Sequence, residues 1–102
     1  MTIEEIKNHV RKYNETKGWS ADDDSVIETI MESDALWKGN RESHRHWNDI
    51  DKVVEIDGLL IMFTDCETTG DLGPSDLGWE FDPSTISLAE AQEIKTTTYK
   101  RV

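Results

Sequence analysis

The sequence predicts an α+β fold, an N-terminal helical hairpin packed on a small antiparallel β-sheet of three to five strands. Three observations carry that reading. Apolar residues recur at helical spacing over the first third of the chain, an Asp57-Gly58 pair separates two apolar runs, and threonines with Tyr99 return at the C-terminal end. A length of 102 residues matches one domain spanning 1–102.

Thr2 and Glu5 have the spacing of a capping box, in which each side chain satisfies the other residue's backbone N–H. Behind them Ile3, Ile6, Val10 and Tyr13 share one helical face, and Gly18 supplies a C-terminal stop, so a helix is expected over 3–17. Ser20 is expected to cap a second helix, with Asp22, Asp23 and Asp24 in its first turn at the positive end of the helix dipole. Val26, Ile27, Ile30 and Met31 form its buried stripe, and its end is expected near Ser33.

From Asp34 to Asn48 the chain is polar and mixed in sign, with Lys38, Arg41, His44, Arg45 and His46 around Trp37 and Trp47. The clearest signal follows. Val53 to Ile56 and Leu59 to Phe63 flank Asp57-Gly58, and that dipeptide tolerates the positive φ of a two-residue hairpin turn. Pairing Ile56 with Leu59 and Val54 with Ile61 puts Val54, Ile56, Leu59, Ile61 and Phe63 on one face, the expected core. Val53, Leu60 and Met62 on the other face are apolar too, so that face is either covered or an exposed patch. Thr64 to Ser75 reads as a loop, Trp79 to Phe81 as a short strand ended by Pro83, and Lys95 to Val102 as a closing strand. Ser87 to Ile94 fits a helical turn or a strand.

Charge and cysteine usage narrow the function. The net charge is 11 − 22 = −11, which repels nucleic-acid phosphates and favours encounter with basic protein surfaces. One cysteine, Cys66, and no run of about 18 apolar residues point to a reducing, cytoplasmic location without a membrane span. The start of the chain lacks the basic and apolar regions of a signal peptide. No phosphate-binding glycine loop, G-x-S-x-G or H-E-x-x-H occurs, Cys66 has acidic neighbours, and neither an enzyme nor a cofactor is expected.

Asp65-Cys66-Glu67-Thr68-Thr69-Gly70, after an apolar strand, resembles the first metal-binding motif of the DnaQ-like 3′–5′ exonucleases. The resemblance implies Asp65 and Glu67 as ligands of two divalent metals. It stays local: the 32 residues after Gly70 contain no histidine and are too few for the remaining acidic motifs. Asp65, Glu67, Asp71 and Asp76 also offer hard oxygen ligands near turn glycines, so a calcium, magnesium or manganese module is the alternative reading. His44-x-His46 offers two imidazoles to zinc, with His9, Cys66 or a carboxylate to complete the set.

The distribution of charge weighs more than any motif. Val53 to Ile94 holds no Lys or Arg but ten carboxylates, interleaved with Leu72, Leu77, Trp79 and Phe81. Such a surface presents carboxylates where a nucleic-acid-binding protein expects phosphates. In this it is similar to small phage-encoded inhibitors of host nucleases, repair enzymes and CRISPR effectors. The stretch Val53 to Asp82, with E-T-T-G-D and D-L-G-W-E-F-D, resembles small uncharacterised phage proteins. This last resemblance implies an origin more than an activity. The acidic, partly apolar surface is what leads to the expectation of an inhibitor of a host nucleic-acid-handling or defence protein, acting in the host cytoplasm, with a monomer or small homo-oligomer expected. The expected partner-binding residues are Asp65, Glu67, Asp71, Asp76, Trp79, Glu80 and Asp82, with Trp79 as the aromatic anchor. The basic segment Lys38 to Lys52 is expected to pair internally with this acidic half. A third reading is an oligomer subunit that packs through Val53, Leu60 and Met62.

Overall fold

The computed structural model describes residues 1–68, 73, 77–93 and 97–102. Helices α1 (Ile3–Thr16) and α2 (Asp23–Glu32) precede strands β1 (Trp37–Ser43), β2 (Trp47–Ile56), β3 (Leu59–Thr68), β4 (Ser87–Glu93) and β5 (Thr97–Arg101). The strands lie in chain order and every neighbour is antiparallel, so the sheet is a five-stranded meander. The fold is α+β, as its sequence predicts.

Helix α1 begins with the expected capping box: the Glu5 amide donates to Thr2 Oγ1 at 3.2 Å and the Thr2 amide to Glu5 Oε1 at 3.1 Å. The α2 cap differs from expectation. Asp22 takes the position, accepting from the Ser25 amide at 2.8 Å, while Ser20 donates its hydroxyl to the second Asp22 oxygen at 2.9 Å. A full negative charge interacts with the helix N-terminus more strongly than a hydroxyl does, and the serine becomes the support of the cap. The helix ends at Ser33, as expected.

The β2–β3 hairpin has the predicted register, Ile56 opposite Leu59 and Val54 opposite Ile61. Its turn carries φ of 49° at Asp57 and 80° at Gly58, positive at both central residues as a type I′ turn requires. Both strands run further than their apolar cores. β2 starts at Trp47 and β3 continues to Thr68, so Thr64 to Thr68 is strand where the composition reads as loop. These polar residues stay in the ladder because cross-strand partners satisfy them: Lys52 bonds Asp65 at 2.7 Å and Thr64 bonds Asp51 at 2.7 Å. Trp79 to Phe81, expected as a strand, has no ladder partner and leads into a 3₁₀ turn, Pro83–Thr85. Ser87 to Glu93 resolves as strand.

Apolar side chains fill both sides of the sheet. On the helical side Ile6, Val10, Val26 and Ile30 meet Val54, Ile56, Ile61, Phe63 and Ile86, all buried. Phe81 closes this layer, edge-on to Phe63 at 6.1 Å. On the opposite side Val53 and Met62 are 0% and 1% exposed, packed with Ala89 beneath Trp37, Leu60 and Tyr99. Of the three residues expected to offer an oligomer patch, Val53 and Met62 are therefore covered within the chain and Leu60 is half-buried. Trp37 on β1 reaches Tyr99 on β5 at 5.8 Å between rings, although a flat sheet separates those strands by about 19 Å. The sheet curls to bring its two edges over one face.

A polar clasp holds the curl. Arg101 on β5 reaches both oxygens of Asp51 on β2, at 3.3 and 3.4 Å, and the Thr85 carbonyl at 3.0 Å. Asp51, 9% exposed, also accepts from Asn40 at 3.0 Å and from Thr64 at 2.7 Å. Burial pushes the Asp51 carboxyl up, but the bonds from Thr64 and Asn40 and the Arg101 charge outweigh it and hold it below the ordinary carboxylate range. Among the described residues, no helix is long and apolar enough to cross a membrane.

Candidate functional site

The residues expected to bind a partner fare differently in three dimensions. Asp65 pairs with Lys52 at 2.7 Å, both side chains being more than four-fifths buried, and its other oxygen accepts from the Cys66 amide. Glu67 pairs with Arg41 at 3.2 Å and lies 4.0 Å from Lys38. The basic segment thus neutralises these two carboxylates from within, the internal pairing expected from the sequence. It also leaves the D-x-E-T-T-G segment without two free carboxylates for metal ions, and Asp65 and Glu67 lie on a strand rather than in a calcium-type loop.

Trp79 is half-buried and donates its indole N–H to Asp49 Oδ1 at 3.2 Å. Asp82 caps the 3₁₀ turn, accepting from the Ser84 hydroxyl at 2.7 Å and amide at 2.9 Å, and those bonds hold its carboxyl below the usual range. Glu80 is exposed. Asp71 and Asp76 lie outside the described residues. Burial pushes the Cys66 thiol up, with Asp65 and Asp49 adding to it, as expected for an unreactive cysteine. His44 and His46 belong to the tight β1–β2 connection, which the His44 amide closes by donating to the Trp47 carbonyl at 2.8 Å, rather than to one strand face.

Uncommitted negative charge concentrates on the helical hairpin. Between Gly18 and Trp37 the chain has no Lys or Arg and six carboxylates, Asp22, Asp23, Asp24, Glu28, Glu32 and Asp34, every one exposed. Asp22 is the α2 cap, and Asp23 pairs with Arg11 at 2.7 Å. Among the described residues Asp24, Glu28, Glu32 and Asp34 have no cationic partner. Glu28, Glu32 and Asp34 line a cleft of about 500 Å³ between the helices, whose wall includes Tyr13 and Trp19.

A buried amide builds this cleft. Asn14, 1% exposed, donates to the Ser20 carbonyl at 3.0 Å and accepts from the Thr29 hydroxyl at 2.9 Å, while its own carbonyl accepts from the Trp19 amide at 2.9 Å. Connection and second helix are thereby tied to α1. Trp19 stands edge-on to Tyr13 at 5.9 Å with 54% of its surface exposed. Two aromatic rings beside three free carboxylates suit a cationic side chain, through ring-face attraction and ion pairing together. Lys17 already rests its ammonium 5.6 Å from the Tyr13 ring.

In the sequence Asp22 to Asp24 read as helix-end charges, and Glu28, Glu32 and Asp34 belong to no motif. The available signal was a second basic gap, shorter than the one after Val53 but unbroken from Lys17 to Lys38. Comparison with protein-family models, with curated proteins and with solved structures finds no match for this chain.

Proposed function

We propose that this chain is a small binding protein that docks on a basic surface of another protein through the acidic face of its helical hairpin. The observation that carries the reading is the set of four uncommitted carboxylates, three of them lining a cleft beside an exposed tryptophan. Free charge of one sign accelerates encounter with the opposite sign, and Trp is among the residue types enriched as anchors once contact is made. An arginine or lysine of the partner enters the cleft between Trp19 and Glu28, and Glu32 and Asp34 contact its neighbours. Basic surfaces of that density belong largely to proteins that handle nucleic acid, so occupying one blocks its substrate, and the chain acts as an inhibitor. The phage origin implied by the Val53 to Asp82 resemblance fits such a role.

The test is retention of a lysate protein on the immobilised chain, with competition by duplex DNA. A basic nucleic-acid-binding protein, displaced by DNA and by salt, is expected on the native chain and not on an E28K/E32K/D34K variant. Retention that survives this triple reversal but is lost on reversal at Glu80 and Asp82 moves the interface off the hairpin. Retention insensitive to both sets, or none at all, overturns the reading.

A further inference from the structure

The β1–β2 hairpin places two carboxylates directly opposite each other, Glu42 on β1 and Asp49 on β2. Like charges in that relation destabilise a sheet. A β-bulge creates the pairing. Gly39 lies opposite Asp51 and Glu42 opposite Asp49, so β1 advances three residues while β2 advances two, with Asn40 at a φ of 51°. A regular ladder continued from Gly39 and Asp51 sets Arg41 opposite Asp49, an attractive pair. The bulge replaces it with a repulsive one and brings His44 to the same place.

His44 Nε2 lies 2.9 Å from Asp49 Oδ2, and one donor atom from each of Glu42, His44 and Asp49 falls within 4.8 Å of the others. Two of the three side chains, His44 and Asp49, are held by further contacts. The His44 ring stacks on Trp47, 4.8 Å between centroids and 18° between planes. The remaining Asp49 oxygen accepts from the Trp79 indole at 3.2 Å, the outer bond that orients a ligating carboxylate. Glu42 has no cationic or hydrogen-bonding partner among the described residues.

We propose that Glu42, His44 and Asp49 bind a divalent transition-metal ion of the zinc class. One imidazole nitrogen and two carboxylate oxygens match the ligand types of zinc, with bonds of about 2.1 Å and water filling the open positions. Calcium and magnesium favour six or more oxygens and little imidazole, so they are the poorer fit. The ion removes the repulsion between Glu42 and Asp49. The site is independent of the reading of the α2 face.

Calorimetric titration of the chelator-stripped full chain with zinc chloride tests the site, with thermal melts alongside. One ion per chain is expected, and E42Q, H44Q and D49N each weaken it about tenfold or more, whereas H46Q and C66S leave it unchanged. Circular dichroism verifies that each variant is folded, and Glu42, being exposed, keeps the test open if H44Q or D49N is not. E42Q is also expected to raise the melting temperature without metal and to shrink the rise that zinc produces, opposite signs that a merely structural Glu42 does not give. Three results overturn the proposal. They are the absence of saturable binding at about 100 μM zinc, binding that survives H44Q but not H46Q or C66S, and weak uptake without one-to-one stoichiometry, which is an adventitious ion only.

Discussion

Replacing Asp51 with Asn removes one charge and reverses one hydrogen-bonding atom at the centre of the clasp that curls the sheet. Asp51 Oδ1 accepts from Thr64 and Arg101, and Oδ2 accepts from Asn40 and Arg101. Whichever oxygen becomes an amide nitrogen, two donors lose their acceptor and face another donor. Hydrogen bonds to a buried carboxylate contribute about 1.5–3 kcal/mol each, which sets an upper range of about 6 kcal/mol. Arg101 is 39% exposed and recovers part of its loss from water, and the Thr64 hydroxyl can turn, so the expected cost falls to about 3 kcal/mol. For a chain of this size that is about 15 °C in melting temperature. Urea unfolding at pH 7, followed by tryptophan fluorescence, measures it. Arg101→Gln in the same background closes a double-mutant cycle, with an expected coupling of about 1 kcal/mol or more. A cost below about 0.5 kcal/mol, or strictly additive variants, refutes the claim that this clasp ties β5 to β2.

The clasp and three caps together predict the acid limb of stability. Glu5, Asp22, Asp51 and Asp82 all have folded pKa values below their ordinary ones. A carboxylate of that kind stabilises the fold above its unfolded pKa and ceases to as pH falls through the folded value. The urea midpoint is therefore expected to decline below about pH 4, and Asp51→Asn to flatten that decline; an unchanged acid limb in the variant counts against Asp51 as one of its sources. Gly39→Ala tests the cover over Val53 and Met62. A Cβ at position 39 runs into the Trp37 ring atoms Cζ2 and Cη2, so the indole must leave Tyr99. A loss of about 2 kcal/mol and a changed near-ultraviolet spectrum are expected, and an unaltered midpoint and spectrum contradict the packing.

Legibility in the sequence tracked the range of the interactions. The capping box at Thr2 and Glu5, the stop at Gly18 and the Asp57-Gly58 hairpin depend on residues within five positions of one another, and all three formed as read. The α2 cap moved from Ser20 to Asp22, because two adjacent capping residues compete and only the folded connection chooses between them. The ends of β2 and β3 were missed for a different reason. Asp51, Lys52, Thr64 and Asp65 look like loop residues one at a time, and become strand residues once each has a cross-strand partner.

The candidate sites divide along the same line. Composition determined that the chain is acidic, and the order and spacing of residues determined that its negative charge meets few positive residues after Val53 and that helices and a hairpin build an α+β fold. Which carboxylates are free was decided only by the tertiary structure, since Lys52, Arg41 and Lys38 reach Asp65 and Glu67 across the sheet while nothing basic among the described residues reaches Glu28, Glu32 or Asp34. Likewise one extra residue in β1 decided that Glu42 rather than Arg41 faces Asp49. Charge is a property of residues and adds along a chain. Its neutralisation requires two groups to lie within a few ångströms, and that distance is set by strand register and sheet curl.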